Sequence, residues 1–228
     1  MVLPWCNNAC NDLVARKISE MLPNMTEILD WTCGLCWSFA YVAAIIIGFR
    51  HKAYCIPRLS ICMNLSWEFW VVVSRIQAGA SLNSGFISQL LWLTLDLAVL
   101  ASWILYDRQV RAGRKLITFL TVFLVVWLWA FVGDEWFSSV FAINFLMSIE
   151  FLLPIKKREF RHSKIVSVFK LIGTAAATVL NGFANRSPVV LWLGGCCLIL
   201  DAYYLLFVFS KRKEVLNEKK KQQFDKTF

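Results

Sequence analysis

The chain has 228 residues, 58% of them hydrophobic and 17% charged, with a net charge of +9 and a mean hydropathy of +0.58. A soluble domain carries about 45–50% apolar and about 25% charged residues, so a water-soluble enzyme, a disordered chain and a coiled coil are excluded. Eleven Trp and 18 Phe exceed what one aqueous core of this length can hide, which leaves a polytopic membrane protein.

The basic excess, 24 Lys and Arg against 15 Asp and Glu, falls in short clusters between apolar runs. Such clusters suit lipid headgroups and topology setting, so membrane lipid rather than nucleic acid is the expected partner. Near the start, Leu13, Val14, Ile18, Met21 and Leu22 share one helical face, with Asp12, Arg16, Lys17 and Glu20 elsewhere. Residues 12–22 therefore read as a helix lying on the membrane surface, or else as a loosely ordered tail. The first thirty residues lack the charged start and apolar core of a cleavable signal. Cys6 and Cys10 can pair if that side is oxidising; Cys33, Cys36, Cys196 and Cys197 sit in apolar runs as small hydrophobes.

A helix needs about 20 apolar residues to cross hydrocarbon, and stretches near that length fall at about 32–49, 58–77, 86–106, 115–133, 136–154, 165–183 and 188–209. The second is the least apolar, because it carries Asn64 and Glu68. The tight break at Gly133-Asp134-Glu135 predicts that the fourth and fifth spans form a helical hairpin, and Pro188 is well placed to start the last helix. The expected fold is all-α, a seven-helix transmembrane bundle over residues 32–209. An N-terminal segment (1–31) precedes it and a basic tail (210–228) follows.

Counting Lys and Arg on alternate sides gives 19 against 4, with Lys170 left inside the sixth span. The basic-rich side is cytoplasmic by the positive-inside rule, which puts the N-terminus outside or lumenal and the C-terminus in the cytoplasm.

Charges within hydrocarbon are costly and mark functional candidates. Glu68 lies ten residues beyond Arg58, Asp201 ten before Lys211 and Asp96 twelve before Arg108. At about 1.5 Å per residue, all three acids sit roughly 15–18 Å from the basic edge, near the midplane of the membrane. In an apolar site they disfavour one another's ionisation, so at least one is expected to stay protonated as a proton donor. The alternative is that each acid merely satisfies a neighbouring Asn, Ser or Trp N–H, a reading that weighs most on Asp96. Asn64 is one turn before Glu68 on the same face, with Trp67 beside it. Tyr204, one turn after Asp201, is either a hydrogen-bonding partner of that site or an interfacial aromatic. Glu150 is expected to snorkel to the cytoplasmic edge or pair with the basic loop after Pro154. Aromatic rings lining a dry cavity would stabilise a cation without acting as nucleophiles.

Phe49-Arg50-His51-Lys52-Ala53-Tyr54, Cys62-Met63-Asn64-Leu65-Ser66-Trp67-Glu68, Ser187-Pro188-Val189-Val190-Leu191-Trp192 and Leu200-Asp201-Ala202-Tyr203-Tyr204 resemble the integral-membrane terpene cyclases. That family serves fungal meroterpenoid and paxilline-type indole-diterpene pathways and has bacterial relatives. The resemblance implies an enzyme that protonates the terminal epoxide of a hydrophobic prenylated substrate and directs a cationic ring-closing cascade, with no metal and no cofactor. It places the family's essential Glu on Glu68 and its essential Asp on Asp201. The supporting residues are then Asn64, Trp67, Asp96 and Tyr204. The bulky Ala202-Tyr203 departs from the smaller residues of relatives and implies a different cavity shape. No D-D-x-x-D motif for a diphosphate-ionising cyclase is present. The membrane would be the endoplasmic reticulum in a fungus and the plasma membrane in a bacterium. The rival reading is a small seven-helix transporter or receptor with a polar site at midplane. A retinal protein would need a Schiff-base Lys in the last span, where none occurs.

Overall fold

A computed structural model of the chain describes residues 5–81, 84–132, 136–153, 160–184 and 188–224, with side chains described from 25 to 210 except 84–85, 130–132, 136–138 and 183–184. Among these residues the elements are helices: α1 (Trp5–His51), α2 (Arg58–Gln77), α3 (Ser84–Tyr106), α4 (Ala112–Val132), α5 (Trp136–Leu152), α6 (Lys164–Thr178) and α7 (Pro188–Phe224). A π-helical turn at Val179–Ala184 continues α6. Tyr54 and Phe160 form one isolated bridge, and no strand is described.

Five stretches are long and apolar enough to cross a membrane: Met25–His51, Phe86–Tyr106, Ala112–Trp129, Lys164–Gly182 and Pro188–Ser210. Their outward faces carry large apolar side chains such as Leu91, Ile104, Ile117, Leu128, Ile199 and Leu206. Water would penalise these faces and lipid does not, which makes this a multi-pass membrane protein. The helix α2 is less apolar because of Asn64 and Glu68, and the apolar part of α5, Ser139–Leu152, is short.

Residues 12–22 do not stand as a separate helix: α1 runs unbroken from Trp5 through Pro23 into the first apolar stretch. Pro188 does begin α7, where its missing N–H costs nothing. The expected turn at Gly133–Glu135, the segment Asn185–Ser187 and the side chains of Cys6 and Cys10 lie outside the description.

The helices pack in a ring, in the order α1, α3, α2, α5, α7, α6 and back to α1, with α4 leaning on the outside of α2. α4 and α5 touch only lightly, and the turn expected to join them as a hairpin lies outside the described residues. Met63, Trp67 and Val71 of α2 wedge between Val126 of α4 and Ile143 of α5. Large rings on α2 fill the space that two adjacent helices would otherwise close.

Small residues set the closest approaches. A Cβ at Gly173 of α6 would come within 2.9 Å of the Trp37 ring of α1. At Gly194 of α7 it would come within 2.4 Å of Thr178. Without a hydrophobic force between helices in lipid, such contacts carry much of the association.

The end of the ring where α1 passes into α2 is plugged. Ala53, Tyr54, Cys55 and Ile56 are buried, and Tyr54 packs edge-on against Phe160, which meets Phe151 and His162. An ion pair and a helix cap pin this end. Arg58 Nε lies 2.7 Å from Asp107 Oδ2, which also accepts from Trp103 Nε1 at 2.9 Å. Glu150 of α5 accepts from Ser60 N (2.6 Å), Ser60 Oγ (2.7 Å) and Leu59 N (3.3 Å). The carboxylate thus caps the positive N-terminus of α2, where snorkelling to the cytoplasmic edge or pairing with the basic loop was expected.

Burial in the plug pushes the Cys55 thiol up to about 12, with nearby Arg161 pulling weakly the other way. The thiolate is the reactive form, so at pH 8 the native protein should leave Cys55 unlabelled by a maleimide while denatured protein labels fully. Peptide mapping checks this; rapid native labelling would mean that the plug opens.

Candidate functional site

The ring encloses a cavity of about 460 Å³ in the half of the bundle away from the plug. Its wall comes from α1 (Asp30, Cys33, Trp37, Tyr41), α2 (Asn64, Trp67, Glu68), α3 (Gln89, Trp92), α5 (Val140, Phe141, Ile143, Asn144, Met147) and the end of α6 with its π-turn (Ala177, Leu180, Asn181). The π-turn pushes one extra residue into the helix circumference and so helps aim Leu180 and Asn181 inward, a use such turns often have at sites. The wall is mostly apolar with a few polar groups, which is the usual make-up of a small-molecule site.

At the deep end, Asn64 and Glu68 share one face of α2. Asn64 Nδ2 donates a hydrogen bond to the Tyr41 hydroxyl. Glu68 Oε2 is buried without a hydrogen-bond partner. Asp96, 1% exposed, stands behind this group, with Glu68 as a like-charged neighbour and the Tyr41 hydroxyl, which accepts from Asn64, free to donate to it. Two carboxyl groups buried side by side with no cation between them are costly to keep charged. Trp67 stacks on Trp70 with centroids 5.6 Å apart. Trp92 Nε1 donates to Ser38 Oγ at 3.0 Å, which fixes its ring in the wall. Trp37, Trp67 and Trp92 are thus the indoles of the cavity, while Trp129 and Trp192 face outward.

Asp201 does not reach this wall. Its Oδ1 and Oδ2 lie 2.5 and 2.7 Å from Lys170 Nζ, and Oδ2 also accepts from Thr174 Oγ1 at 3.2 Å. Lys170 further donates to Ser148 Oγ at 2.8 Å and Asn144 Oδ1 at 3.5 Å. The pair is 1% exposed on each side. It lies behind the cavity, separated from it by the Trp37 ring (5.7 Å from Lys170 Nζ) and the Asn144 side chain.

The structure thus brings Glu68, Asn64 and Trp67 together on the cavity, sets Asp96 behind Tyr41, and gives Asp201 a cationic partner. Tyr204 is not part of either group: its hydroxyl lies 3.1 Å from His162 Nδ1, within the plug. Tyr203 is 59% exposed on the outer face, so it does not shape the cavity. Sequence reasoning missed Tyr41, Trp37, Asn144 and the role of Lys170. The signal for Lys170 was available, since a cation in mid-span requires a buried acid. Among the described residues no cluster of three or more His, Cys, Asp or Glu is placed to hold a metal ion.

Comparisons with known proteins identify the family. No solved structure matches the chain. It is 29% identical to the Pyr4-family terpene cyclase mfmH of Annulohypoxylon moriforme over 76 residues, 33% of this chain and 30% of that protein. With the terpene cyclase spyD of Aspergillus fumigatus it shares 33% over 54 residues, 24% and 23% of the two chains. These two matches span about a third or less of the relatives' length. The asnovolin H synthase nvfL of Aspergillus novofumigatus aligns over 256 positions at 21% identity, covering 98% of this chain and 99% of that one. The family model for Pyr4-like transmembrane terpene cyclases matches residues 19–148, more than half of the chain. That match contains every cavity-lining residue except Ala177, Leu180 and Asn181. The chain belongs to the Pyr4-like transmembrane terpene cyclases.

Proposed function

We propose that this protein is a membrane-bound cyclase that protonates the terminal epoxide of a prenylated substrate, of the meroterpenoid or indole-diterpene kind, and directs its metal-independent cyclisation. The observation that carries this reading is Glu68, an acid on an apolar, indole-lined cavity with a buried oxygen that has no partner. Glu68 gives its proton to the epoxide oxygen. The C–O bond at the more substituted carbon breaks, and the neighbouring alkene closes a ring on that carbon, passing the positive charge along the chain. Loss of one proton from the last cation restores the proton count, so substrate and product are isomers. Trp37, Trp67 and Trp92 present π-faces to the moving charge, and the sealed end excludes water that would trap it. Asn64, Tyr41 and Asp96 form the polar group through which Glu68 recovers its proton. Gln89 Oε1, buried without a partner at the other end of the cavity, suits a headgroup that donates a hydrogen bond.

We infer seven spans from the apolar stretches and their orientation from the charge count, 19 Lys and Arg against 4. The plug is then cytoplasmic, the cavity opens toward the lumenal or outer side, and the basic end of α7 meets the cytoplasmic leaflet. Residues 1–31 and 210–228 flank the membrane domain.

Membranes containing the chain should convert an epoxyprenylated aromatic compound into a cyclised product of equal mass, with no nucleotide, ion gradient or added metal. Recovery of unchanged substrate, or of the diol from simple hydrolysis, would overturn the reading.

A further inference from the structure

We propose that Asn144 is the fixed hydrogen-bond donor to the substrate epoxide oxygen, and that Asp201 is a positioning residue acting through it. The inference rests on the reading of the cavity as a cyclase site.

Asn144 is where the buried ion pair reaches the cavity wall. Its Nδ2 donates to Thr174 Oγ1 at 3.4 Å, and its Oδ1 accepts from Lys170 Nζ at 3.5 Å. The direction of this network is imposed by Asp201. An ionised carboxylate only accepts, so the Thr174 hydroxyl must spend its one proton on Asp201 Oδ2 (3.2 Å) and offer a lone pair to Asn144. Lys170 only donates, and its donors go to Asp201, Ser148 and Asn144 Oδ1. The amide of Asn144 therefore cannot flip without setting donor against donor and acceptor against acceptor. One N–H of Nδ2 is committed to Thr174, which leaves the second for the cavity.

Depth supports the same partner. Glu150 of α5 is bonded to Ser60 of α2, so these two residues fix the register of the two helices. Asn144 is six residues up α5 from that point, level with Ser66, which is about 3 Å short of Glu68 at about 1.5 Å per residue. An epoxide oxygen facing the Glu68 acid thus sits at the height of the Asn144 amide. Glu68 supplies the proton; the Asn144 N–H orients the oxygen and shares its charge as the C–O bond breaks, the role of a preorganised dipole.

The test compares Asn144→Leu, Asp201→Asn, their double variant and Thr174→Val in detergent-solubilised enzyme, with kcat, KM and melting temperature measured for each on the epoxide that the wild type converts. Removing one such donor costs on the order of 10²–10³ in kcat, so Asn144→Leu should lose that much with KM little changed. Thr174→Val, close in shape, should lose about tenfold in kcat with little change in KM, because one of the two hydrogen bonds that hold the amide is lost. Asp201→Asn and Asn144→Leu should not multiply: the double variant should be no slower than the slower single one. Multiplying losses would mean that Asp201 acts on the substrate by a separate route, and Asn144→Leu turnover within threefold of wild type would remove Asn144 from the site. Either result overturns this inference while wild-type conversion leaves the cyclase reading standing. If Asn144→Leu fails to accumulate, Thr174→Val decides alone, since a purely packing role would move its melting temperature and not its kcat.

Discussion

Replacing Glu68 by Gln should abolish cyclisation while the protein still inserts and accumulates. Gln keeps the size of the side chain and can still hydrogen-bond to an oxygen, but it has no proton to give. General acid catalysis contributes about 10²–10⁴ in rate, so turnover should fall by at least about 10² if Glu68 is the only donor. Stability should change little or rise, because the substitution removes an acid that is half-buried and lacks a partner at Oε2. Product formation per unit of protein, followed by mass spectrometry in isolated membranes, checks both halves of the expectation. Near-normal turnover in the Gln variant would mean that another group starts the reaction, and Asp96, next to Tyr41, is the first to examine.

Lys170→Met should be the most damaging substitution for the fold. It leaves the Asp201 carboxylate sealed in the bundle with only Thr174 as donor. Breaking a buried pair from one side typically costs about 3–5 kcal/mol, because the charge left behind is uncompensated. Removing both charges together is far milder, so Lys170→Met with Asp201→Leu should recover most of the lost thermal stability in detergent. Turnover should not recover with it, since Asn144 would lose the groups that hold its amide. A double variant as unstable as the single one would show that Lys170 stabilises through packing on Trp37 and Phe151 rather than through its charge.

Much of the helical layout was legible in the sequence because the relevant signals are local. The second stretch, 58–77, coincides with α2, and the start of α7 at Pro188 follows from the fixed φ and missing N–H of proline. Asn64, Trp67 and Glu68 sit within one helical turn or so, and helical periodicity alone puts Asn64 and Glu68 on one face. What was not legible depends on which helices become neighbours. Lys170 and Asp201 are on α6 and α7, 31 positions apart, and counting charges by membrane side left the lysine as a remainder. Equal depth put Asp201 level with Glu68 but carried no information on the angle around the bundle, and the angle is what turns it toward α6. Glu150 was read against the nearest cations in sequence, whereas the N-terminus of α2, 90 positions away, offers three donors at once. Tyr204 follows Asp201 by one turn and so points the same way along α7, yet it is nearer the plug, where His162 takes its hydroxyl.

The blocked end of the bundle turns the enclosed space into a blind pit with a measurable floor. Tyr41 lies near its bottom and Asp30 at its rim, eleven positions apart on α1, so the pit is about 16 Å deep at about 1.5 Å per position. On the proposed cyclase reading, a guest enters this pit epoxide first. The same helix therefore serves as a ruler: tails much longer than the pit would leave their reactive tip short of the acid or their aromatic head stranded in the bilayer.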